Sequence, residues 1–250
     1  MILYALIGQP LTHSFSKKYF TEKFEKEGIV DARYELFPLE SIEYLPELLR
    51  QHPALCGLNV TIPYKESVIP YLDELDETAK AVGAVNCIQI KNGHLKGFNT
   101  DVIGFERSLN DFFDTPTPAQ LHREALILGT GGAAKAVAFV LNRRGIPFKF
   151  VSRTAKGANN LSYSQLSGLK PCLIVHTTPL GTYPKTEEMP PVPKSLFLKG
   201  QIVYDLVYNP AETLLLREAK RHGAQTQNGL EMLIGQAEAA WKIWNEAEGR

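Results

Sequence analysis

A glycine-rich turn between an apolar strand and a small-residue helix constrains this chain more than any other feature. Residues 125–136 read ALILGTGGAAKA, which fits a G-x-G-x-x-A pattern. The first glycine allows the tight turn, the second lets backbone N–H groups approach a pyrophosphate, and the alanine lets the helix pack close to the strand. The positive end of the helix dipole then faces the phosphates. The motif predicts a dinucleotide site formed by Gly129, Gly131, Gly132 and Ala133, with Ala134 at the packing position.

The end of the next predicted strand indicates which dinucleotide binds. Residues 150–154 read FVSRT. An NAD site usually carries Asp or Glu at this point, because a carboxylate holds the ribose 2′-hydroxyl. Here Arg153 stands between Ser152 and Thr154, and a guanidinium matches a 2′-phosphate in charge and geometry. The pattern predicts NADP binding by these three residues; an ordinary surface arginine beside an NAD or flavin site is the alternative.

Composition excludes several classes of partner. The 250 residues suffice for one large or two modest domains, and Lys plus Arg and Asp plus Glu both total 27. The net charge therefore favours neither nucleic acid nor membrane. Cys56, Cys87 and Cys172 are scattered, which is typical of thiols in a reducing compartment such as the cytoplasm. The six histidines lack metal-ligand spacing, so we expect no metal.

Strand and helix signals alternate along the chain, which indicates an α/β fold with mostly parallel sheets. The first residues predict a buried strand, since they are apolar but too short for a signal peptide. Residues 111–124 carry two prolines and predict a connection, after which the alternation restarts. The predicted strands are 2–7, 34–37, 55–60, 125–128, 148–152, 172–176 and 201–206, with a hairpin over 84–99 turning at Asn92-Gly93. The predicted helices are 16–27, 40–51, 132–144 and 230–247.

Polar residues follow several of the N-terminal strands. In an open α/β sheet the loops at the carboxyl ends of strands line the ligand crevice. We therefore expect the side chains that follow these strands to converge and to suit a small polyhydroxylated acid: Ser14, Ser16, Thr61, Lys65, Asn86 and Asp101. Five of these six residues also have a purely structural interpretation. The serines and the aspartate could cap helices, the asparagine could bond the backbone at a turn, and the lysine could be solvated.

The order of these segments resembles the shikimate dehydrogenase family. The matching segments run through nearly the whole chain: GQPLTHSFS (8–16), NVTIPYK (59–65), GAVN (83–86), NTD (99–101), GTGGAAKA (129–136), SRT (152–154), TTPLG (177–181), YDLVYNP (204–210) and NGLEMLIGQ (228–236). The resemblance implies an NADP-dependent reduction of 3-dehydroshikimate to shikimate, reversibly, in aromatic amino-acid biosynthesis. His176, Thr182 and Leu206 depart from the residues usual in the family, which are asparagine, methionine and methionine.

The resemblance also implies two domains with different functions, separated by a cleft. Residues 1–101 with 228–250 would form an open, mostly parallel α/β substrate domain, and 102–227 a Rossmann-like NADP-binding domain. The implied roles follow the matched motifs. Ser14 and Ser16 would bind the substrate carboxylate; Thr61, Asn86, Asp101 and Gln236 would bind its hydroxyls; Lys65 and Asp101 would form the catalytic pair; Tyr208 would approach the substrate, and Gly229 the nicotinamide.

Two other functions remain open from the sequence. One is a quinate/shikimate dehydrogenase with broader substrate or NAD use. The other is a non-catalytic NADP-binding regulator that keeps the fold, against which the presence of both Lys65 and Asp101 argues. We expect a small-molecule substrate as the partner, and a monomer or a homodimer.

Overall fold

The computed structural model describes residues 1–11, 14–112, 124–155 and 157–246. The chain separates into two compact units. Unit 1 comprises Met1–Thr100 and Ala237–Arg250, and unit 2 comprises Asp101–Gln236. Unit 1 is therefore built from two distant stretches of sequence. This division differs from the predicted one chiefly in grouping residues 228–236 with unit 2.

Unit 1 is built on a six-stranded sheet. Its elements are β1 (Ile2–Gly8), α1 (Phe15–Glu27), β2 (Ala32–Pro38), α2 (Leu45–Gln51), β3 (Leu55–Val60), β4 (Glu74–Leu75), α3 (Glu77–Val82), β5 (Cys87–Lys91) and β6 (His94–Phe98). The strand order is β2-β1-β3-β5-β6-β4, with β5 antiparallel to both of its neighbours and the other pairs parallel. The carboxyl ends of β1, β3 and β6 therefore meet at one edge with the amino end of β5. That edge is where the predicted substrate residues of unit 1 lie.

The helix α1 shows how local sequence sets an element of unit 1. Ser14 caps its start, accepting a hydrogen bond from the Lys17 N–H, and Gly28 ends it at φ 67°, a conformation that favours glycine. Phe20 and Phe24 are buried four residues apart, so both side chains lie on the same helix face against the sheet.

Unit 2 is built on a fully parallel six-stranded sheet. Its elements are α4 (Thr100–Phe112, whose first residue belongs to unit 1), β7 (Ala125–Leu128), α5 (Gly132–Arg143), β8 (Phe148–Ser152), β9 (Asn160–Ser162), β10 (Leu173–His176), β11 (Ile202–Asp205), α6 (Leu214–Arg221), β12 (Gln225–Gln227) and the first half of α7 (Leu230–Asn245). The strand order β9-β8-β7-β10-β11-β12 is that of a Rossmann fold. The strand order reverses between β7 and β10, and ligands of such sheets bind outside the carboxyl ends of the strands at that point.

The second half of α7 belongs to unit 1. Ala237, Ala240 and Trp244 are buried in one cluster with the aromatic residues of β1, α1 and β2. The Trp244 indole donates to the Ile88 carbonyl at 3.0 Å, and its ring would lie 2.5 Å from a Cβ at Gly57. A side chain at residue 57 would therefore displace the helix from the sheet.

The structure confirms the α/β fold class and modifies some predicted elements. The helix predicted over 40–51 begins as a short 3-10 turn, Ile42–Tyr44. The segment predicted as a connection from residue 111 still belongs to α4 at its start, and residues 113–123 lie outside the described part. The strands β9 and β12, which were not predicted, have only three residues each, too few to show a periodic pattern. Within the described ranges, no helix is long and apolar enough to span a membrane.

Candidate active site

A chain of buried hydrogen bonds links two predicted substrate residues of unit 1. The Tyr34 hydroxyl donates to Asn59 Oδ1 at 2.7 Å, and Asn59 Nδ2 donates to the Asn86 carbonyl at 3.2 Å. Complete burial raises the pKa of Tyr34 well above its ordinary value, and a hydrogen bond with Ser16 partly offsets this. The Asn86 carboxamide in turn bonds Thr100, accepting from its N–H at 2.7 Å. Ser16, Asn86 and Thr100 therefore belong to one hydrogen-bond network.

The loops after β1 and β3 are held against each other. The Thr61 N–H donates to the Ile7 carbonyl at 2.9 Å, and a Cβ at Gly8 would lie 2.4 Å from Thr61 Cγ2. The Lys65 carbonyl accepts from the Val85 N–H at 2.7 Å, which ties this loop to the segment preceding Asn86. The side chains of Thr61 and Lys65 are half-buried. The sheet edge thus brings the backbone of these two residues close to the Asn86 segment. The convergence of their side chains on a substrate stays a prediction.

Asp101 and Gln236 lie on two helices that cross closely within unit 2. A Cβ at Gly104 of α4 would stand 2.3 Å from the Met232 carbonyl oxygen and 2.8 Å from the Gln236 nitrogen of α7. A Cβ at Gly235 would stand 3.0 Å from Gly104 Cα. Asp101 precedes Gly104 by one helical turn, so it lies on the same face of α4. Both side chains are buried, with 6% and 8% exposure.

The glycine turn after β7 has the form that a dinucleotide requires. Gly129 has φ 122°, its N–H donates to the Val151 carbonyl at 2.8 Å, and a Cβ there would lie 2.4 Å from Thr177 Oγ1. Gly131 is the N-cap residue of α5, and a Cβ there would meet no atom within 4 Å. Close packing therefore explains why residue 129 is a glycine, but it does not explain the glycine at residue 131. The open space at Gly131, with Gly132 and Ala133 half-exposed in the first turn of α5, fits a pyrophosphate.

Arg153 lies exposed just beyond the carboxyl end of β8. Burial raises the pKa of Tyr163, and the positive charge of Arg153 opposes that rise, which places Arg153 near Tyr163. The Ser152 hydroxyl donates to the Thr154 carbonyl at 2.7 Å and orders the turn around the arginine. An exposed guanidinium at this point fits a 2′-phosphate.

Gly229 and Tyr208 lie in two segments of unit 2 that touch each other. The Gly229 N–H donates to the Val207 carbonyl at 3.1 Å, and a Cβ at residue 229 would lie 2.0 Å from the Leu206 carbonyl oxygen. Only glycine allows this approach. Tyr208 directly follows Val207 in the sequence, and its side chain is half-buried.

A buried His–Asp pair was not predicted from the sequence. His176 and Asp205 end the neighbouring strands β10 and β11 as register partners, and both are 0% exposed. His176 Nδ1 lies 2.9 Å from Asp205 Oδ1. The signal in the sequence was a polar residue at the end of each of two apolar strands, but the strand order needed to pair them comes only from the fold.

The described residues include three cysteines and no cluster of three His, Cys, Asp or Glu side chains placed as metal ligands. None of the three cysteines forms a disulfide. Burial raises the pKa of the Cys87 thiol far above its ordinary value, which keeps it protonated and unreactive.

Comparisons with known proteins identify relatives of this chain. Residues 6–88 match the model of the shikimate dehydrogenase substrate binding domain. A protein named shikimate dehydrogenase (NADP(+)) from Methanococcus maripaludis is 38% identical, over 97% of this chain and 91% of the relative. A chorismate mutase/shikimate 5-dehydrogenase fusion protein from Clostridium acetobutylicum has a TM-score of 0.87 at 38% identity, covering 98% of this chain and 91% of that one.

A third comparison is with a protein solved together with ligands. The shikimate 5-dehydrogenase of Thermus thermophilus, in complex with NADP(H) and shikimate, has a TM-score of 0.86 at 33% identity, covering 100% of this chain and 95% of that one. These similarities extend over both units and exceed what a shared nucleotide-binding fold alone would give. The chain belongs to the shikimate dehydrogenase family.

Proposed function

We propose that this chain is an NADP-dependent shikimate dehydrogenase, which reversibly reduces 3-dehydroshikimate to shikimate in the biosynthesis of chorismate and the aromatic amino acids. The observation that carries the proposal is the open glycine turn at Gly131 followed by Arg153, in a chain similar along nearly its whole length to NADP-dependent shikimate dehydrogenases.

The cofactor assignment rests on the residues around the Rossmann sheet. Gly129, Gly131, Gly132 and Ala133 would cradle the pyrophosphate, while Ser152, Arg153 and Thr154 would hold the 2′-phosphate and Gly229 would adjoin the nicotinamide. When bound, NADPH would supply the hydride for the carbonyl carbon. The full negative charge of the 2′-phosphate is the feature that a guanidinium distinguishes from the 2′-hydroxyl of NAD.

The reaction also needs a proton, and we assign the role of proton donor to Lys65. As the carbonyl carbon accepts the hydride, the developing alkoxide takes a proton from the Lys65 ammonium, which gives the alcohol and a neutral amine. In the oxidative direction the neutral amine accepts the hydroxyl proton. Asp101 would hold both the lysine and a substrate hydroxyl in position. In a second arrangement, Lys65 stabilises charge and water carries the proton. This arrangement predicts the same loss of activity when the lysine is removed.

Substrate binding is assigned to the polar residues of the sheet edge and of the α4–α7 crossing. Ser14 and Ser16 would hold the carboxylate, and Tyr208 would approach the ring. The hydroxyls of the substrate would bond four side chains: Thr61, Asn86, Asp101 and Gln236. The hydrogen bonds that join Ser16 to Asn86 support this assignment, because they fix two of these residues relative to each other before the substrate binds.

A steady-state assay tests the proposal. The purified chain should oxidise shikimate with NADP⁺ at a kcat/KM far above the values with NAD⁺ or with quinate. Comparable values for quinate or NAD⁺ would instead support a quinate/shikimate dehydrogenase of broad specificity. A chain that binds NADP⁺ and oxidises neither substrate would be a regulator. We further expect the protein to be cytoplasmic and to be a monomer or a homodimer. A sizing measurement on the purified chain would distinguish the two oligomeric states.

A further inference from the structure

The His–Asp pair at the ends of β10 and β11 is part of a larger buried network. His176 Nε2 lies 2.5 Å from Thr178 Oγ1, in addition to the contact of Nδ1 with Asp205. Asp205 also accepts from the Val207 N–H at 2.9 Å and from the Thr213 hydroxyl at 2.6 Å. Both ring nitrogens and both carboxylate oxygens therefore have partners. The network joins the loops after β10 and β11 to the start of α6.

The protonation of His176 sets the polarity of Thr178 in this network. A carboxylate can only accept, so His176 Nδ1 carries a proton and donates it to Asp205. We assign the neutral tautomer, in which Nε2 accepts and the Thr178 hydroxyl gives its one proton to the imidazole. The Thr178 oxygen, which also receives the Leu180 N–H at 3.4 Å, is then an acceptor for any further partner.

Thr178 lies where the strand order of the sheet reverses. A Cβ at Gly129 would stand 3.0 Å from Thr178 Cγ2, so the loop after β10 packs against the glycine turn after β7. With the 2′-phosphate at Arg153 beyond β8 and the pyrophosphate at Gly131 beyond β7, the other half of the dinucleotide extends toward β10. That half carries ribose hydroxyls and a carboxamide, which are hydrogen-bond donors.

We propose that His176 is a positioning residue for the nicotinamide half of NADP. By taking the Thr178 proton, it holds Thr178 as an acceptor for a ribose hydroxyl or for the carboxamide N–H, and it fixes the loop over residues 177–181. This inference rests on the cofactor assignment of the proposed function and is independent of the substrate.

Two variants and two ligands test the inference by titration calorimetry. His176→Asn keeps a donor toward Asp205 but is too short to reach Thr178, and Thr178→Val keeps the shape and loses the hydroxyl. Each should raise the Kd for NADP⁺ about 3- to 10-fold, the worth of one hydrogen bond. Neither should change the Kd for adenosine 2′,5′-bisphosphate, which lacks the nicotinamide half. The double variant should bind no more weakly than the weaker-binding single variant.

Two further variants separate positioning from general stability. Gln201 is 4% exposed, and its carboxamide donates to the carbonyls of Pro171 and Leu196 near the amino end of β11, at the opposite edge of the sheet. Gln201→Leu should lower the Tm and leave both Kd values unchanged. His176→Gln can place its amide oxygen near the Nε2 position; it should keep the Kd for NADP⁺ within about twofold although the Tm falls.

The measured dissociation constants decide whether the inference holds. Wild-type affinity for NADP⁺ in both His176→Asn and Thr178→Val, equal weakening of NADP⁺ and the bisphosphate, or full additivity in the double variant would each overturn the inference. A wild-type chain that binds NADP⁺ and does not oxidise shikimate removes the proposed activity and leaves the inference standing. A wild-type chain that binds no NADP⁺ overturns both.

Discussion

The crossing of α4 and α7 allows a sharp test of how candidate residues are positioned. Gly104→Ala would place a Cβ 2.3 Å from the Met232 carbonyl oxygen, about 1 Å inside an ordinary contact. Because the obstacle is backbone, the two helices must separate by a similar distance. Overpacking of this kind costs about 1–3 kcal/mol, which corresponds to a fall in Tm of roughly 2–12 °C for a chain of this size.

The same separation should impair the reaction. We have assigned Asp101 of α4 and Gln236 of α7 to the substrate, and a displacement of about 1 Å can cost about a hundredfold in rate. We expect kcat for shikimate oxidation to fall about 10- to 100-fold in Gly104→Ala, while the Kd for NADP⁺ changes little. The assay is steady-state kinetics together with thermal melting and calorimetry.

A graded control lies on the partner helix. Gly235→Ala places its Cβ 3.0 Å from Gly104 Cα, so a shift of a few tenths of an ångström relieves it. Its effects on Tm and kcat should be clearly smaller than those of Gly104→Ala. A Gly104→Ala enzyme with lowered Tm and unchanged kcat, or a larger kcat loss in Gly235→Ala, would refute the argument that the crossing sets the geometry of the site.

The remaining predictions concern single side chains. Lys65→Ala should lower kcat far more than it raises KM for shikimate, and near-normal kcat would exclude it as the proton donor. Arg153→Ala should weaken NADP⁺ binding about 10- to 100-fold and hardly affect NAD⁺, whereas equal losses would indicate a structural role. Tyr34→Phe should raise KM for shikimate a few-fold through Ser16, and the matched Tyr64→Phe, whose hydroxyl donates to a backbone carbonyl, should not. Burial raises the pKa of Tyr204 from 10.0 to about 12, so stability should fall as pH rises from 10 to 12, less steeply in Tyr204→Phe; equal slopes in alkaline melts would contradict this.

The local parts of the site could be predicted from the sequence. The glycine turn lies within one strand–turn–helix unit, so its pattern indicated both the fold of the segment and the open position at Gly131. Arg153 was proposed for the same reason, because it directly follows the next strand of the same unit. The polar residues after β1 and β3 followed from the rule that loops at the carboxyl ends of strands line the crevice.

The contacts between segments distant in sequence could not be predicted from the sequence. A glycine inside a helical pattern signals a close approach, but nothing near Gly104 in the sequence shows that α7 is the neighbour. The pairing of His176 with Asp205 likewise depends on β10 and β11 being adjacent and in register, which is a property of the sheet order. The strands β9 and β12 were not predicted because three residues carry no periodicity, and their pairing partners define them.

Four of the close-approach glycines adjoin or are candidate residues, and they differ from glycines that only end a helix. Residues 8, 104, 129 and 229 are glycines at which a Cβ would meet Thr61, the Gln236 backbone, Thr177 and the Leu206 carbonyl, all within 2.8 Å. Gly83, by contrast, ends a helix at φ 68°, and a Cβ there meets nothing within 4 Å, so a substitution costs backbone strain of about 1 kcal/mol and moves no neighbour. The four close-approach glycines therefore fix distances between backbone segments that carry candidate site residues. Substitutions at these positions should change kinetic or binding constants out of proportion to the loss in stability, whereas Gly83→Ala should change stability alone.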